Sequence, residues 1–213
     1  MSKTRASSVR PPPAHTPPKN RLLAKLPATD FRRLLPDLTT MTVRPKQYLY
    51  KVGEPVHDVY FPNGGVFSIT TALPNGTMVE AATVGDEGML GIEAFFGDNA
   101  VATGDTLLQV PDTDVVKISV SAFRGEITNG GALHKLMGQY AQTVFAQMMQ
   151  STACNALHQV LERGARWLLM THDRVRRDDF HLSHEFLAMM LGTSRPTVTV
   201  VARTPAARRT HHV

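Results

Sequence analysis

Cysteine is nearly absent from this 213-residue chain: Cys154 stands alone, so no intramolecular disulfide forms and no cysteine-rich zinc or iron–sulfur site can be assembled. Long apolar runs are missing as well. No stretch approaches the roughly 18 residues a membrane-spanning helix requires, and the opening segment MSKTRASSVRPPPAHTPPKN lacks the apolar centre of a signal peptide. These absences predict a cytoplasmic protein with no membrane contact. Phosphate loops, nucleophile elbows and paired-carboxylate signatures are also missing, so the expectation is not an enzyme and no cofactor. His172, His181 and His184 lie close in sequence, yet they have no nearby cysteine and no recognisable supporting pattern, so no metal is expected.

What is present describes a folded chain. Hydrophobic residues make up 42% and charged residues 19%, which excludes wholesale disorder. The net charge of +5 favours polyanionic partners, although much of it sits at the ends, on Lys3, Arg5, Arg10, Lys19, Arg21, Arg203, Arg208 and Arg209, where basic residues also serve plain solubility. Residues 1–20 hold five prolines and almost no apolar side chain, and read as a disordered tail. Leu22, Leu23, Leu26, Phe31, Leu34 and Leu35 suggest short helices broken at Pro27 and Pro36. Between Met41 and Val120, runs such as YLYKV, DVYFP, VFSITTAL, TMVEAATV, TLLQV and DVVKISV alternate with turn residues, as in an all-β sandwich or barrel. Asn75-Gly76 marks a hairpin turn.

From Leu133 the rhythm turns helical. Leu133, Met137, Tyr140, Val144 and Met148 recur every three or four residues, and a helix from Leu133 to Ala153 would be roughly 30 Å long, more than a small β domain needs as a cover. That excess predicts a dimer seam along this face; packing wholly within the same chain is the alternative. A second helix, Leu157 to about Arg174, offers Val160, Leu161, Trp167, Leu168 and Leu169 for burial.

The clearest signal is HLSHEFLAMMLGTSRPTVTVVAR. Ser183 can cap a helix with Glu185 in its first turn; Phe186, Leu187, Met190 and Leu191 give it an apolar face, and Gly192 stops it. Thr193-Ser194 then supplies a fresh cap, with Pro196 tolerated in the next first turn. In the second helix Val198, Val201 and Ala202 share one face, while Arg195, Thr199 and Arg203 point elsewhere. This is the pattern of a helix-turn-helix. The candidate DNA-contacting residues are Ser194, Arg195, Thr197, Thr199 and Arg203, with Arg195 reaching a base edge or phosphate in the major groove of double-stranded DNA. A helical hairpin that merely packs a core remains the alternative on these residues alone.

The β-rich region, the long helix, ERGARWLLMTHDRV and LSHEFLAMMLGTSRPTVTVVA together resemble the Crp/Fnr family of bacterial transcription regulators over roughly residues 21–204. The resemblance implies an α+β chain with an N-terminal double-stranded β-helix or jelly roll of cyclic-nucleotide-binding type, a long dimerisation helix and a C-terminal winged helix-turn-helix. The corresponding divisions are a tail (1–20), a β-roll (21–130), a dimerisation helix (131–156) and a DNA-binding domain (157–213). It also implies a homodimer and RNA polymerase as partner, and it gives Arg195 the position that contacts guanine; the family's acidic and second basic reading positions fall on Pro196 and Val200. Cyclic AMP is not expected as effector, because no arginine lies between Arg44 and Arg124 to pair a cyclic phosphate, and Glu87 and Glu93 read as solvated loop carboxylates. The effector is left open. A sensing or scaffold protein with a defective DNA reader is the alternative function.

The wing expected after the recognition helix is not recognisable in ARTPAARRTHHV. Removing one cytosine from suitable codons for the tail yields TLQRAGLITT, which resembles the family's continuation. This predicts a shifted frame from Pro205 onward and a helix-turn-helix lacking a normal wing.

Overall fold

The computed structural model describes residues 18–202 except 75–76, 112–113, 129 and 181, with the side chains of 200–202 also left aside. Arg203, the atypical tail and the expected wing defect lie outside the described residues.

Two antiparallel sheets make the N-terminal roll. One has the order β1 (Thr39–Thr42), β7 (Asp114–Ser119), β3 (Asp58–Pro62); the other runs β2 (Tyr48–Tyr50), β6 (Asp105–Val110), β4 (Val66–Ala72), β5 (Met78–Val84). β4 and β5 pair as neighbours up to Ala72 and Met78; the turn predicted at Asn75-Gly76 lies outside the described residues. Period-two alternation sorts the side chains. Phe67 and Leu108 face each other across β4 and β6 and join Val59, Phe61, Val115 and Ile118 in the core between the sheets. Ser68, Leu107 and Gln109 therefore point from the opposite face, which in a solvated sheet would be polar throughout. Here that face is covered too.

Short helices close the roll: α1 (Ala28–Leu34), α2 (Glu93–Phe96) and α3 (Val120–Thr128), with 3-10 turns at Leu23–Lys25 and Leu35–Asp37 on either side of α1. Pro27 stands as the N-cap of α1, and Pro36 lies inside the second 3-10 turn, so both prolines mark helix boundaries as predicted. The long helix α4 runs Ala132–Leu157, followed by α5 (Val160–Val175), α6 (His184–Met190) and α7 (Arg195–Ala202). Leu157 ends α4 rather than starting the next helix. His158 and Gln159 between them are extended, and α5 opens with a reciprocal capping box in which Gln159 and Glu162 exchange side-chain to backbone hydrogen bonds. No helix among the described residues is long and apolar enough to cross a membrane.

The predicted dimer face of α4 requires correction. Leu133, Met137, Tyr140 and Val144 are all buried against the chain's own roll, with Met148 half-buried on the same core. The helical period identified the apolar stripe correctly, but the roll is what covers it. The large apolar side chains that α4 leaves outside are Phe145 (66% exposed), Met149 (59%) and Leu157 (82%).

Residues 85–89 are where the modules meet. Tyr140 donates its hydroxyl to the Met89 carbonyl at 2.9 Å, and its ring lies so close over Gly88 that a Cβ there would overlap the hydroxyl oxygen. Burial raises the Tyr140 hydroxyl pKa far above its ordinary value, keeping it a donor. Asn20 donates to the carbonyls of Gly88 (2.9 Å) and Pro62 (2.7 Å), pinning the segment that leads into the roll to the same turn. Replacing Gly88 with Ala should push Tyr140 off its seat and cost about 1–3 kcal/mol, read as a lower denaturant midpoint at unchanged slope.

Candidate nucleic-acid interface

The local rules written into residues 183–198 are carried out atom by atom. Ser183 Oγ accepts the Phe186 amide at 3.2 Å, capping α6. At the other end Gly192 takes φ +58°, the left-handed conformation that lets the Gly192 amide reach Met189 O (3.2 Å) and the Thr193 amide reach Ala188 O (2.9 Å). Ser194 then caps α7, accepting the Thr197 amide at 3.4 Å, while the two hydroxyls meet at 2.8 Å. Pro196 sits in the first turn, where its missing N–H leaves no helix bond unmade.

The two helices pack through a common core. Val198 is fully buried with Phe186, Leu187, Ala188, Met190 and Leu191, and Trp167 of α5 joins them. Arg163, one turn into α5, donates Nη1 to Leu191 O at 3.0 Å and so fixes the turn between the helices. His184 Nδ1 meets Thr199 Oγ1 at 3.1 Å, and Thr199 also donates to Arg195 O at 3.0 Å. The Thr199 hydroxyl therefore holds α7 to α6, a task the sequence did not reveal. Ser194, Arg195 and Pro196 are exposed, Thr197 is half-buried, and the Arg195 guanidinium has no partner among the described residues. One helix end thus presents a free cation beside two hydroxyls, at the positive end of the α7 dipole.

Of the histidines weighed as metal ligands, His172 lies beside Asp178 (3.1 Å) and Asp173 (3.8 Å) on the surface, and His184 is taken by Thr199. His181 lies outside the described residues. Cys154 is buried near the end of α4, as expected of a small core residue.

This reader is docked on the outer face of the four-stranded sheet. Leu107 of β6 enters the reader's core, and Val66 and Val110 pack with Val175 of α5. Polar side chains in the seam are paired across it. Trp167 Nε1 donates to Glu80 Oε2 at 3.2 Å, and Gln109 Nε2 donates to the same oxygen at 3.0 Å while also touching Met190 Sδ. Ser68 Oγ is a third donor to it. At the edge, Arg174 Nε pairs with Glu87 Oε1 at 2.8 Å and Nη2 donates to Thr83 O at 3.1 Å, while Arg176 pairs with Asp86 at 2.5 Å. Glu87 is thus an interdomain ion-pair partner, and the expectation of a solvated loop carboxylate is corrected. The two residues lie 87 positions apart, which is why no sequence pattern hinted at the pairing. Burial pushes the Glu80 carboxyl from its usual 4.5 up to about 7, against the lowering effect of its three donors and of Arg174.

Beside this edge a cleft of about 430 Å³ lies between the roll, α4 and the end of α5, lined among others by Lys25, Thr83, Glu87, Tyr140, Thr143 and Arg174. In the roll itself, Glu93 Oε1 accepts both the Thr103 amide (3.0 Å) and the Thr103 hydroxyl (2.8 Å), so this second carboxylate is also engaged.

Comparison with known proteins agrees with this geometry. Residues 162–205 match the Crp-like helix-turn-helix domain. No curated protein matches the chain. Among solved structures, the c-di-GMP-responsive global regulator CLP of Xanthomonas campestris superposes with a TM-score of 0.70 at 14% identity, over 86% of this chain and 93% of that one. FixK2 of Bradyrhizobium japonicum gives 0.66 at 16%, covering 81% and 86%. A CRP-family transcriptional regulator of Thermus thermophilus gives 0.60 at 22%, covering 78% and 82%. The chain therefore has the fold of Crp/Fnr regulators, a cyclic-nucleotide-binding-like roll and a long helix, and carries a Crp-like helix-turn-helix domain over residues 162–205.

Proposed function

We propose that this protein is a DNA-binding transcriptional regulator that reads double-stranded DNA with α7 and works as a cytoplasmic homodimer in partnership with RNA polymerase. The observation that carries the reading is the exposed Arg195 at the capped start of α7, without a partner among the described residues and held in place by a helical hairpin that is capped at the start of both helices and pinned by the His184–Thr199 contact. A cation free of such partners at a helix N-terminus suits a guanine edge or a phosphate. Ser194 and Thr197 lie beside it for backbone contacts; Thr199 supports the helix from behind, and Arg203 is kept as a phosphate contact by its sequence position.

The dimer is assigned to the outer edge of α4. Phe145 and Met149 lie one turn apart on a helix whose opposite face is filled by the roll, and two such edges packed together would bury side chains worth about 1.5–3 kcal/mol each. Cyclic AMP is not assigned as effector. The roll has no arginine between Arg44 and Arg124 to meet a cyclic phosphate, and Glu93 already places a negative charge on the Thr103 donors.

In gel shifts with operator and random duplexes, affinity should fall steeply as salt rises, and Arg195→Ala should lose about 1–3 kcal/mol on operator DNA while narrowing the difference from random DNA. Absence of binding even at low salt would overturn the regulator reading. Phe145→Asp should sediment as a monomer, whereas a persistent dimer would place the seam elsewhere. Millimolar cyclic AMP should leave the thermal midpoint unmoved, because a ligand stabilises only the state it binds.

A further inference from the structure

Glu80 sits where the roll and the reader share a surface. Its Oε2 gathers donors from three elements: Ser68 of β4, Gln109 of β6 and Trp167 of α5. The first two belong to the roll and stay with Glu80 whatever the reader does. The third crosses the seam. Leu107, Phe186, Leu187 and Met190 share the apolar cluster of Trp167 beside the crossing, so the docked reader lowers the access of water to the carboxyl of the half-buried Glu80.

The charges around it are few. From β4, β6 and α6 the facing side chains are Ser68, Gln109 and Met190, none of which titrates, and α5 contributes Trp167 and Arg174. Arg174 is the charge that acts on Glu80, but its guanidinium is bonded to Glu87, Thr83 O and Met170 O. An ionised Glu80 in the closed seam thus meets hydrogen-bond dipoles and no dedicated counter-ion, a costly arrangement.

We propose that Glu80 is a positioning residue for the DNA reader, and that its protonation fastens the helix-turn-helix to the roll, so that docking is tightest in acid and slackens as the carboxyl ionises. This rests on the reading of residues 162–205 as a DNA reader, but it concerns docking and is tested without DNA. The sign comes from linkage. With the reader docked, burial holds the carboxyl pKa near 7; with the reader lifted away, Glu80 lies in water on the outer face of the sheet and returns to its usual range near 4.5. The docked form therefore binds the proton more tightly. Docking is strongest below that interval, weakens as pH rises through it, and levels off above about 7.

The test is hydrogen exchange on the full-length protein from pH 5 to 8, following amides of α5, α6 and β5 after correction for intrinsic exchange chemistry. The fluorescence of Trp167, the only tryptophan in the chain, serves as a second reporter of the seam. The seam's opening constant should rise roughly fifty-fold between pH 5 and 7.5 and then flatten. Glu80→Gln, which keeps the acceptor and cannot ionise, should show a flat profile. Trp167→Phe removes one donor that favours the ionised form, so the pH at which its profile flattens should move upward; this variant is read by exchange alone. A merely structural Glu80 would change the amount of opening and leave that pH where it was. A pH-independent opening in the wild type, a pH dependence that survives Glu80→Gln, or an unmoved plateau in Trp167→Phe would each overturn the proposal.

Discussion

The pairing of Glu87 with Arg174 at 2.8 Å joins the turn after β5 to the far end of α5, and the same short turn receives the other modules as well. Asp86 takes Arg176 from the reader and Arg21 from the N-terminal segment. Gly88 gives way to the ring of Tyr140, and Met89 O takes that tyrosine's hydroxyl. Gly85 is equally constrained, since a Cβ there would stand 2.7 Å from Glu87 Oε2 and 2.9 Å from Arg174 Cγ. Two glycines provide the close approach and two carboxylates provide the charge. The partly exposed ion pairs contribute modestly to stability, but they fix direction, and the apolar seam beyond them supplies the larger share of the energy.

The outer face of the four-stranded sheet shows how this seam is written into a strand. In DTLLQV, adjacent Leu107 and Leu108 necessarily point to opposite faces, so one leucine serves the roll's core and the other serves the reader's. A sheet covered on both faces must also place its polar groups, and the Ser68 hydroxyl, the Gln109 amide N–H and the Trp167 indole N–H all donate to Glu80, while Gln109 Oε1 is left without a partner among the described residues. That cluster gives the interface a fixed register that apolar packing alone would leave loose.

Much of the architecture was legible because it rests on local rules. Ser183, Gly192 and Ser194 specify two caps and a left-handed stop within a short stretch of chain, and the structure uses each of them as the sequence implies. The strands between Met41 and Val120 were legible from alternation and punctuation. What the sequence could not convey was which surface covers which. The stripe Leu133, Met137, Tyr140 and Val144 is apolar whether it meets a second copy or its own roll, and only the folded chain shows the roll in that place. Glu87 looked like a solvated carboxylate because Arg174 is remote in sequence, and Thr199 looked free to face DNA because nothing local announces the His184 contact. Long-range polar pairs leave no periodic trace.

The junction between α4 and α5 has a mechanical consequence. The His158 amide is bonded to Cys154 O and so closes α4, while Gln159 O accepts the Arg163 amide and its capping box closes the start of α5, so the two helical ladders meet at the single peptide between His158 and Gln159. From that joint the 16 residues of α5 run to Arg174 and Arg176, whose pairing with Glu87 and Asp86 holds the far end of the helix to the roll. The helix that carries the hairpin is thus a strut fixed at both ends, so moving Arg195 relative to the roll means breaking the ion pairs at one end or turning the joint at the other.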